Sequence, residues 1–403
     1  MDELGPHLRP GEIARQSTPP TGRPAVVPLL AGYWSFGQYW GVWVILVYEF
    51  QRAHGIGDAS LGGLYMLLSV VAVIVMLFIA PRLQPLPLRS SMTISLLTLA
   101  VASVAIGYLP TSLVFIGFML VGVGNGLIDV YMNVAAQRAE VATRKPVLQW
   151  LHASYALGGV TGAAAAGLII AAGLDFRWGL AYASAALLVT TVWNARTGPT
   201  DRAPQGTSTA FSISALFRTP ALWVAALVVL FAFLVEGSMD TWSGLYLRDQ
   251  LSASAATAAI AFIAFSGAIF LGRLFAGRVL FGLGLRPTIL AAGLGSAVAG
   301  IAVVTTSNPW VVGLAFLFLG FAISAAAPAG FGLTEAIDED PTNAIAAVTT
   351  VGYTGFIFTP PLLGYIAQTV DLRAAMSVIV LATFGIVIVG LFAPRRSTRR
   401  RGD

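Results

Sequence analysis

Four carboxylic acids lie in or beside long apolar stretches of this 403-residue chain, where a charged group is costly. Asp129, Glu236 and Asp240 fall within such stretches, and Glu49 lies at the end of another. An acid at membrane depth must either be neutral or face a water-filled cavity, because hydrocarbon does not solvate a carboxylate. All 23 basic residues fall at the flanks of the stretches, so we expect no cationic partner at depth. The four acids are therefore candidates for proton uptake and release, led by Asp129.

Polar side chains near Asp129 predict a shared site. Asn133 follows Asp129 by four residues, which places both on one face of a helix. His152 and Tyr155 share a face at the start of the next apolar stretch, and Tyr353 corresponds to Tyr155 in an internal repeat. We expect these side chains to line a substrate cavity. The alternative is structural: Asp129 would hydrogen-bond Asn133 and His152 between helices, a contact worth about 0.6–2 kcal/mol.

The remaining acids also have structural alternatives. Glu236 lies near the middle of its apolar stretch and could cap a helix broken at Gly237. Asp240 follows one turn later on the same helix face. Glu49 could extend from the end of its stretch to the membrane surface.

The first apolar stretch is rich in aromatic residues and contains one amide. The spacing of Trp34, Gln38 and Trp43 could present rings and an amide to a cavity, where rings stack on a sugar and the amide hydrogen-bonds it. The alternative is an aromatic belt at the membrane surface. Trp242 and Tyr246 occupy the related region of the second half and are cavity candidates on the same argument.

The composition dictates which elements hold these side chains. Hydrophobic residues make up 57 % of the chain and charged residues only 10 %, which excludes a soluble enzyme and a disordered chain. Apolar runs of about 20 residues exclude a β-barrel, whose strands alternate. Without cysteine there is no disulfide or thiolate metal site. We predict twelve spans near 27–48, 61–80, 90–109, 112–136, 149–172, 177–195, 221–246, 255–276, 287–306, 310–334, 344–368 and 373–393.

The basic residues predict the orientation of these spans. When they are assigned to alternate flanks, 19 fall on the side of both termini and 4 on the other. Basic residues favour the cytoplasmic side, so we expect a multi-pass protein of the cytoplasmic (inner) membrane with both termini in the cytoplasm. The net charge of +5 then faces anionic lipid, and we expect no nucleic-acid partner.

The chain matches itself at an offset of 198 residues. This offset places Phe118–Gly122 over Phe316–Gly320, Tyr155 over Tyr353 and Tyr48 over Tyr246. It predicts two pseudo-symmetric six-helix bundles in an all-α membrane protein, with a central cavity that opens to each side in turn. The predicted segments are a flexible cytoplasmic tail at 1–25, bundles at 26–195 and 220–393, a cytoplasmic linker at 196–219 and a basic cytoplasmic tail at 394–403.

Glycine and proline mark where these helices pack closely or bend. Small residues let membrane helices approach each other, so we expect packing at Gly158 and Gly162 and at the glycines of the fourth and eleventh spans. Pro360 and Pro361 together remove two backbone donors and predict a hinge in the eleventh span.

These features resemble the major facilitator superfamily of secondary transporters over the whole folded length. The resemblance rests on the two halves, the Gly122-x-Gly124-x-Gly126 run and the segment Gly272-Arg273-Leu274-Phe275-Ala276-Gly277-Arg278, expected in the loop between the eighth and ninth spans. The matching loop between the second and third spans is reduced to Pro81-Arg82 and Arg89. The resemblance implies a gating role for these loops, through Arg82, Arg89, Gly272, Arg273, Gly277 and Arg278.

A narrower resemblance joins the chain to a little-characterised branch of bacterial inner-membrane facilitators. It is carried by Asp129-Val130-Tyr131-Met132-Asn133, by Leu151–Gly158, by Glu236-Gly237-Ser238 with Trp242 and by Thr359–Tyr365. The chain is distantly similar to fucose and glucose proton symporters, which also place an acid in the fourth helix. The superfamily resemblance further implies that the seventh helix, and with it Glu236, faces the cavity.

The sequence thus favours a proton-coupled secondary transporter of a small sugar-like, polar or amphipathic solute. The alternative is a proton-driven exporter of hydrophobic drugs or metabolites. We expect no enzyme, because only His152 of the three histidines lies near a predicted core and a nucleophile–base pair is lacking. We also expect no cofactor, no bound metal and a monomer whose partners are its solute, protons and the lipid bilayer.

Overall fold

The computed structural model describes residues 26–145, 147–202, 214–337 and 341–394. Most of the predicted tails and the middle of the predicted linker lie outside these residues. The described residues form helices and no β-strand. Twelve long helices are present there: α1 Val26–His54, α2 Asp58–Leu83, α3 Leu88–Tyr108, α4 Val114–Thr143, α5 Val147–Ala171, α6 Arg177–Thr197, α7 Leu222–Gln250, α8 Ala255–Leu283, α9 Leu285–Thr305, α10 Pro309–Ile337, α11 Pro341–Thr369 and α12 Leu372–Leu391.

Ten of these described helices are long and apolar enough to cross a membrane. The other two are α1 and α6, which contain buried polar residues such as Ser35, Gln38, Thr190 and Asn194. Helix α1 contacts α5, α6 and α7, and most of its side chains are buried against protein. Because little of α1 meets lipid, its composition is free to be less apolar. The predicted count of twelve helices is confirmed for the described residues.

The two halves of the chain repeat the same helix pairing. In the first half α1 packs on α5 and α6, α3 on α4 and α6, and α2 on α4. In the second half α7 packs on α11 and α12, α9 on α10 and α12, and α8 on α10. Each contact thus recurs six helices later, as expected for two parallel six-helix bundles. Between the halves, α2 packs on α11, α5 on α8 and α1 on α7.

The helix ends lie on two sides of the bundle. We call the side where α1 begins at Val26 and α12 ends at Leu391 the terminal side. We call the opposite side, where α1 ends at His54 and α12 begins at Leu372, the far side. The far side carries the short turns between α1 and α2, α5 and α6, and α11 and α12.

Several helices depart from regular α geometry. Helix α2 contains a π-helical turn at Val75–Ile79 and α7 ends in another at Tyr246–Gln250. Helix α10 is interrupted between Ile323 and Ala326. Pro360 and Pro361 lie inside α11, and the hinge predicted there remains a prediction. Such irregular turns leave backbone groups adjustable and are common at functional positions.

Glycines allow α1 and α5 to touch along their backbones. A Cβ added at Gly158 would collide with the carbonyl oxygen of Trp34, and one at Gly162 with that of Gln38. Gly37 of α1 stands equally close to the carbonyl of Tyr155. This contact orients α1 and α5, which supply two walls of the cavity described below.

Replacing Gly158 with alanine is expected to lower the free energy of unfolding by about 1–3 kcal/mol, because the new methyl group must displace the α1 backbone. Gly159→Ala is the matched control, since the nearest atom to its added Cβ, the Gly37 carbonyl oxygen, is 3.9 Å away. Both changes gain the same helix propensity. Unfolding of the two variants in mixed micelles measures the difference, and equal stability would contradict the packing account.

Candidate functional site

A cavity of about 850 Å³ lies between the two halves. Its walls come from α1, α2, α4 and α5 in the first half and from α7, α8 and α11 in the second. A volume of this size accommodates a drug-sized or smaller solute. The cavity therefore lies where the repeat predicted one, at the interface that would change if the halves rocked.

Aromatic side chains form much of the cavity wall. Helix α1 contributes Tyr33, Phe36 and Trp40, and Tyr155 of α5 packs against Phe36 with ring centroids 5.3 Å apart. Helix α2 of the same half adds Tyr65. The second half adds five aromatic residues, which are Phe262, Phe265, Phe270, Tyr353 and Phe356. Such walls bind apolar surface and can stack on flat or ring-shaped solutes.

Asp129 faces this cavity and is hydrogen-bonded only by neutral groups among the described residues. Its Oδ2 accepts from the Tyr353 hydroxyl at 3.3 Å, and its Oδ1 accepts from Asn133 Nδ2 at 3.3 Å. The Asn133 amide also donates to the Asp129 carbonyl oxygen at 2.6 Å, while its Oδ1 accepts from the Tyr33 hydroxyl at 2.9 Å. The chain of contacts runs from α1 through α4 to α11, so Asp129 links the two halves.

His152 and Tyr155 also line the cavity, as their spacing predicted for a common face. The His152 ring meets the Tyr33 ring edge-on, with centroids 5.9 Å apart. Among the described residues no hydrogen bond joins His152 to Asp129. The structural alternative expected Asp129 to hydrogen-bond both Asn133 and His152. Within the described residues, only the hydrogen bond with Asn133 is present.

Glu236 has a cationic partner, contrary to the sequence expectation. Arg273 Nη2 lies 2.8 Å from both carboxylate oxygens of Glu236, and both residues line the cavity. The expectation that every basic residue lies at a flank is wrong for Arg273, because α8 continues to Leu283 and carries this residue inside the bundle. The Gly272–Arg278 segment is accordingly helical, not a loop.

The other predicted gating residues have separate positions. Gly272 packs against Ser324 of α10, Gly277 lines the cavity, and the Arg278 guanidinium lies 5.9 Å from the Phe275 ring. Arg82 donates to the Phe78 carbonyl within α2, and the Arg89 carbonyl accepts from Asn194 at 3.0 Å. Arg82 and Arg89 are absent from the cavity lining.

Asp240 lies one turn after Glu236 on α7 and also lines the cavity. Its carboxyl group makes no hydrogen bond and no salt bridge with any residue in the described part of the chain. The charged groups within its electrostatic reach are Glu236 and Arg273, which already neutralise each other. Asp240 is thus the acid of this cavity that has no local partner in the described structure.

The cavity face of α1 differs from the predicted one. Tyr33, Phe36 and Trp40 line the cavity, whereas Trp34, Gln38 and Trp43 do not. The predicted residues are rotated about the helix axis, and Gly158 and Gly162 of α5 cover the backbone at Trp34 and Gln38. The Gln38 side chain is buried, and both of its polar atoms lack a partner among the described residues.

Buried aromatic residues close the cavity toward the far side. Trp43 Nε1 donates to the Tyr65 hydroxyl at 2.9 Å, and that hydroxyl donates to the Thr241 carbonyl at 3.3 Å. The Trp242 ring lies 6.4 Å from the Tyr65 ring, and Tyr246 donates to the Val303 carbonyl at 2.9 Å. Trp242 and Tyr246 therefore do not line the cavity, because Trp242 packs against Tyr65 and Tyr246 extends to α9.

A second closure lies nearer the far-side surface. Glu49 at the end of α1 forms a salt bridge with Arg248 of α7, and the Arg248 guanidinium lies 4.8 Å from the Tyr48 ring. Glu49 therefore has a cationic partner, which sequence analysis did not anticipate because the two residues are far apart in the chain. In contrast, His152 and Arg273 toward the terminal side are exposed. The described structure is closed at the far side and accessible from the terminal side.

Comparisons with known proteins agree with this architecture. The family model described as Major Facilitator Superfamily matches residues 29–337. An uncharacterised MFS-type transporter of Yersinia pestis is 26 % identical over 350 residues, covering 84 % of this chain and 88 % of that protein. The crystal structure of the nucleoside transporter NupG has a TM-score of 0.71 at 13 % identity, covering 92 % of this chain and 98 % of that one. A D-xylose-proton symporter has a TM-score of 0.67 at 15 % identity, covering 92 % and 97 %.

Proposed function

Because the chain belongs to the Major Facilitator Superfamily, a family of membrane transporters, we propose that it couples the movement of a small amphipathic solute to that of protons. The observation that supports coupling most directly is the position of Asp129. Its carboxyl group faces the cavity, has only neutral hydrogen-bond partners among the described residues and touches Tyr353 of the other half. A proton bound there would change a contact that joins the halves.

The proposed cycle alternates access to the cavity. The terminal side corresponds to the cytoplasm in this proposal, since 18 of the 22 basic residues other than Arg273 fall on that side by their position in the sequence. The described conformation is then open inward. Opening to the exterior requires separation of Glu49 from Arg248 and of Tyr65 from Thr241, while the halves close together on the cytoplasmic side.

A proton on Asp129 would bias this cycle electrostatically. An ionised carboxylate binds hydroxyl and amide donors more strongly than a neutral carboxyl group does. The ionised form therefore favours the contact with Tyr353, and protonation weakens it. The protonation state of Asp129 and the relative position of the halves are linked in this way.

The cavity composition supports an amphipathic solute. Ring faces from Phe36, Trp40 and Phe356 offer stacking surfaces, and the Asn133 amide with the Tyr33 and Tyr353 hydroxyls offers hydrogen bonds. Sugars and nucleosides combine such features, and two structural neighbours are named for a nucleoside and for D-xylose. A second candidate, proton-driven export of hydrophobic compounds, is supported by the large aromatic share of the wall.

Proton flux provides the test. The purified protein is placed in liposomes containing a pH-sensitive dye at clamped membrane voltage, and labelled hexoses, pentoses, nucleosides and lipophilic compounds are added in turn. We expect a transported solute to change the internal pH. Protons should move with the solute if the protein drives uptake and against it if the protein drives export. Transport of a labelled solute without any proton movement would refute the coupling.

A further inference from the structure

The charges on the cavity wall do not cancel. The described lining contains the acids Asp129, Glu236 and Asp240 but a single arginine, Arg273. Glu236 and Arg273 form a salt bridge and neutralise each other. If Asp129 carries a proton, as the proposed function requires, one negative charge remains, and it belongs to Asp240.

Asp240 is placed to use that charge on a ligand. Its carboxyl group lines the cavity and makes no hydrogen bond or salt bridge with the described residues around it. An ionised acid that is partly shielded from water needs a cation to offset its desolvation. Arg273 does not supply one, because its Nη2 already contacts both oxygens of Glu236.

The aromatic walls of the cavity are a second, independent reason for it to bind a cation. A cation is attracted to the face of an aromatic ring within about 6 Å of its centre, and the attraction grows when water is excluded. Tyr65 lines the cavity and donates its hydroxyl to the carbonyl of Thr241, the residue that follows Asp240. Tyr65 therefore lies next to the turn of α7 that carries this acid, and other aromatic residues line the remaining walls of the cavity.

We propose that the solute is an organic cation, such as a protonated or quaternary amine, whose positive charge is held by Asp240 between aromatic side chains. The remainder of the solute would lie along the walls formed by α1 and α8. This inference rests on the proposed function, since it assigns the proton to Asp129 and leaves Asp240 free for the solute.

Pairs of molecules that share a shape but differ in charge test the inference. Tetraphenylphosphonium is compared with tetraphenylborate, and choline with 3,3-dimethylbutan-1-ol, by equilibrium binding to the purified full-length protein. We expect the cation to bind about tenfold or more tightly than its counterpart in at least one pair. No preference for the cation in either pair would overturn the proposal.

Variants at the acid make the assignment specific. Asp240→Asn is expected to abolish the preference for the cation, and Asp240→Glu to retain it. Asp175→Asn, which removes an acid from an exposed far-side loop, serves as the control and should leave the preference intact. A preference that persists in a folded Asp240→Asn protein would overturn the assignment.

The outcome is separable from that of the proposed function. The binding assay needs neither a pH gradient nor transport, so it reports on solute charge alone. Proton-coupled transport of a neutral solute would preserve the proposed function while refuting this inference. Cation binding that depends on Asp240, without proton movement during transport, would support this inference while refuting the proposed proton coupling.

Discussion

Replacing Asp129 with asparagine is expected to abolish solute accumulation driven by a pH gradient while preserving exchange of solute for solute. One pH unit corresponds to 1.36 kcal/mol, so a transporter that moves one proton per solute can sustain an accumulation of about tenfold. Asparagine cannot bind or release the proton, and the accumulation ratio should fall to about 1. Exchange should persist, because it requires only that the loaded cavity reorient.

The substitution is suited to this purpose because it keeps the contact between the halves and loses only the side-chain hydrogen bond from Asn133. An asparagine oxygen can still accept from the Tyr353 hydroxyl, and the side-chain volume is unchanged. Accumulation and exchange of the solute identified by the flux assay are measured in the same liposomes. Asp175→Asn, the same chemical change at an exposed acid, should behave like the parent protein. Undiminished accumulation by Asp129→Asn would remove Asp129 from the coupling mechanism.

Glu236→Gln is expected to destabilise the protein, because it leaves the Arg273 guanidinium without its partner inside the bundle. The Glu236 side chain is only 11 % exposed, whereas that of Arg273 is 44 % exposed to the cavity. Water in the cavity therefore offsets part of the loss, and we expect a decrease of about 1–3 kcal/mol in the free energy of unfolding. Arg273→Gln should cost less, because the orphaned Glu236 carboxyl group can take up a proton whereas a guanidinium cannot lose one.

A double-mutant cycle isolates the interaction between these two groups. The variant carrying both Glu236→Gln and Arg273→Gln should be more stable than the sum of the single effects predicts, by about 1–3 kcal/mol. Unfolding in mixed micelles gives the four free energies. The surface pair of Asp175 and Arg177, whose side chains are 51 % and 39 % exposed, provides the control cycle and should yield under about 1 kcal/mol. Additive effects at Glu236 and Arg273 would show that their contact contributes no stability.

Features set by local composition could be predicted from the sequence. The twelve helices follow from apolar runs of membrane-spanning length, and the two halves follow from an offset that persists across several helices. The same reasoning pointed to Asp129, because an acid within an apolar run requires water or a partner wherever the helix is placed. The shared face of Asp129 and Asn133 is fixed by the geometry of a single helix.

Features that depend on how helices meet could not be predicted in this way. On α1 the sequence offered several aromatic faces, and only packing of α5 on Trp34 and Gln38 directed Tyr33 and Trp40 into the cavity. Sequence analysis missed Tyr65 for the same reason, since its contact with Thr241 joins residues from different halves. The internal repeat, which pairs Tyr155 with Tyr353, indicated these two cavity residues. It gave no such indication for Tyr65 on α2.

The sequence by itself determined that this chain spans a membrane as two related bundles with acids inside them, because hydropathy and repeats are properties of consecutive residues. The tertiary structure decided which of those acids are paired. Arg273 contacts Glu236 and Arg248 contacts Glu49 only because neighbouring helices bring distant residues together, and the same packing leaves Asp240 without a partner among the described residues. The charge of a cavity depends on such pairings, so it emerges only when the helices are assembled.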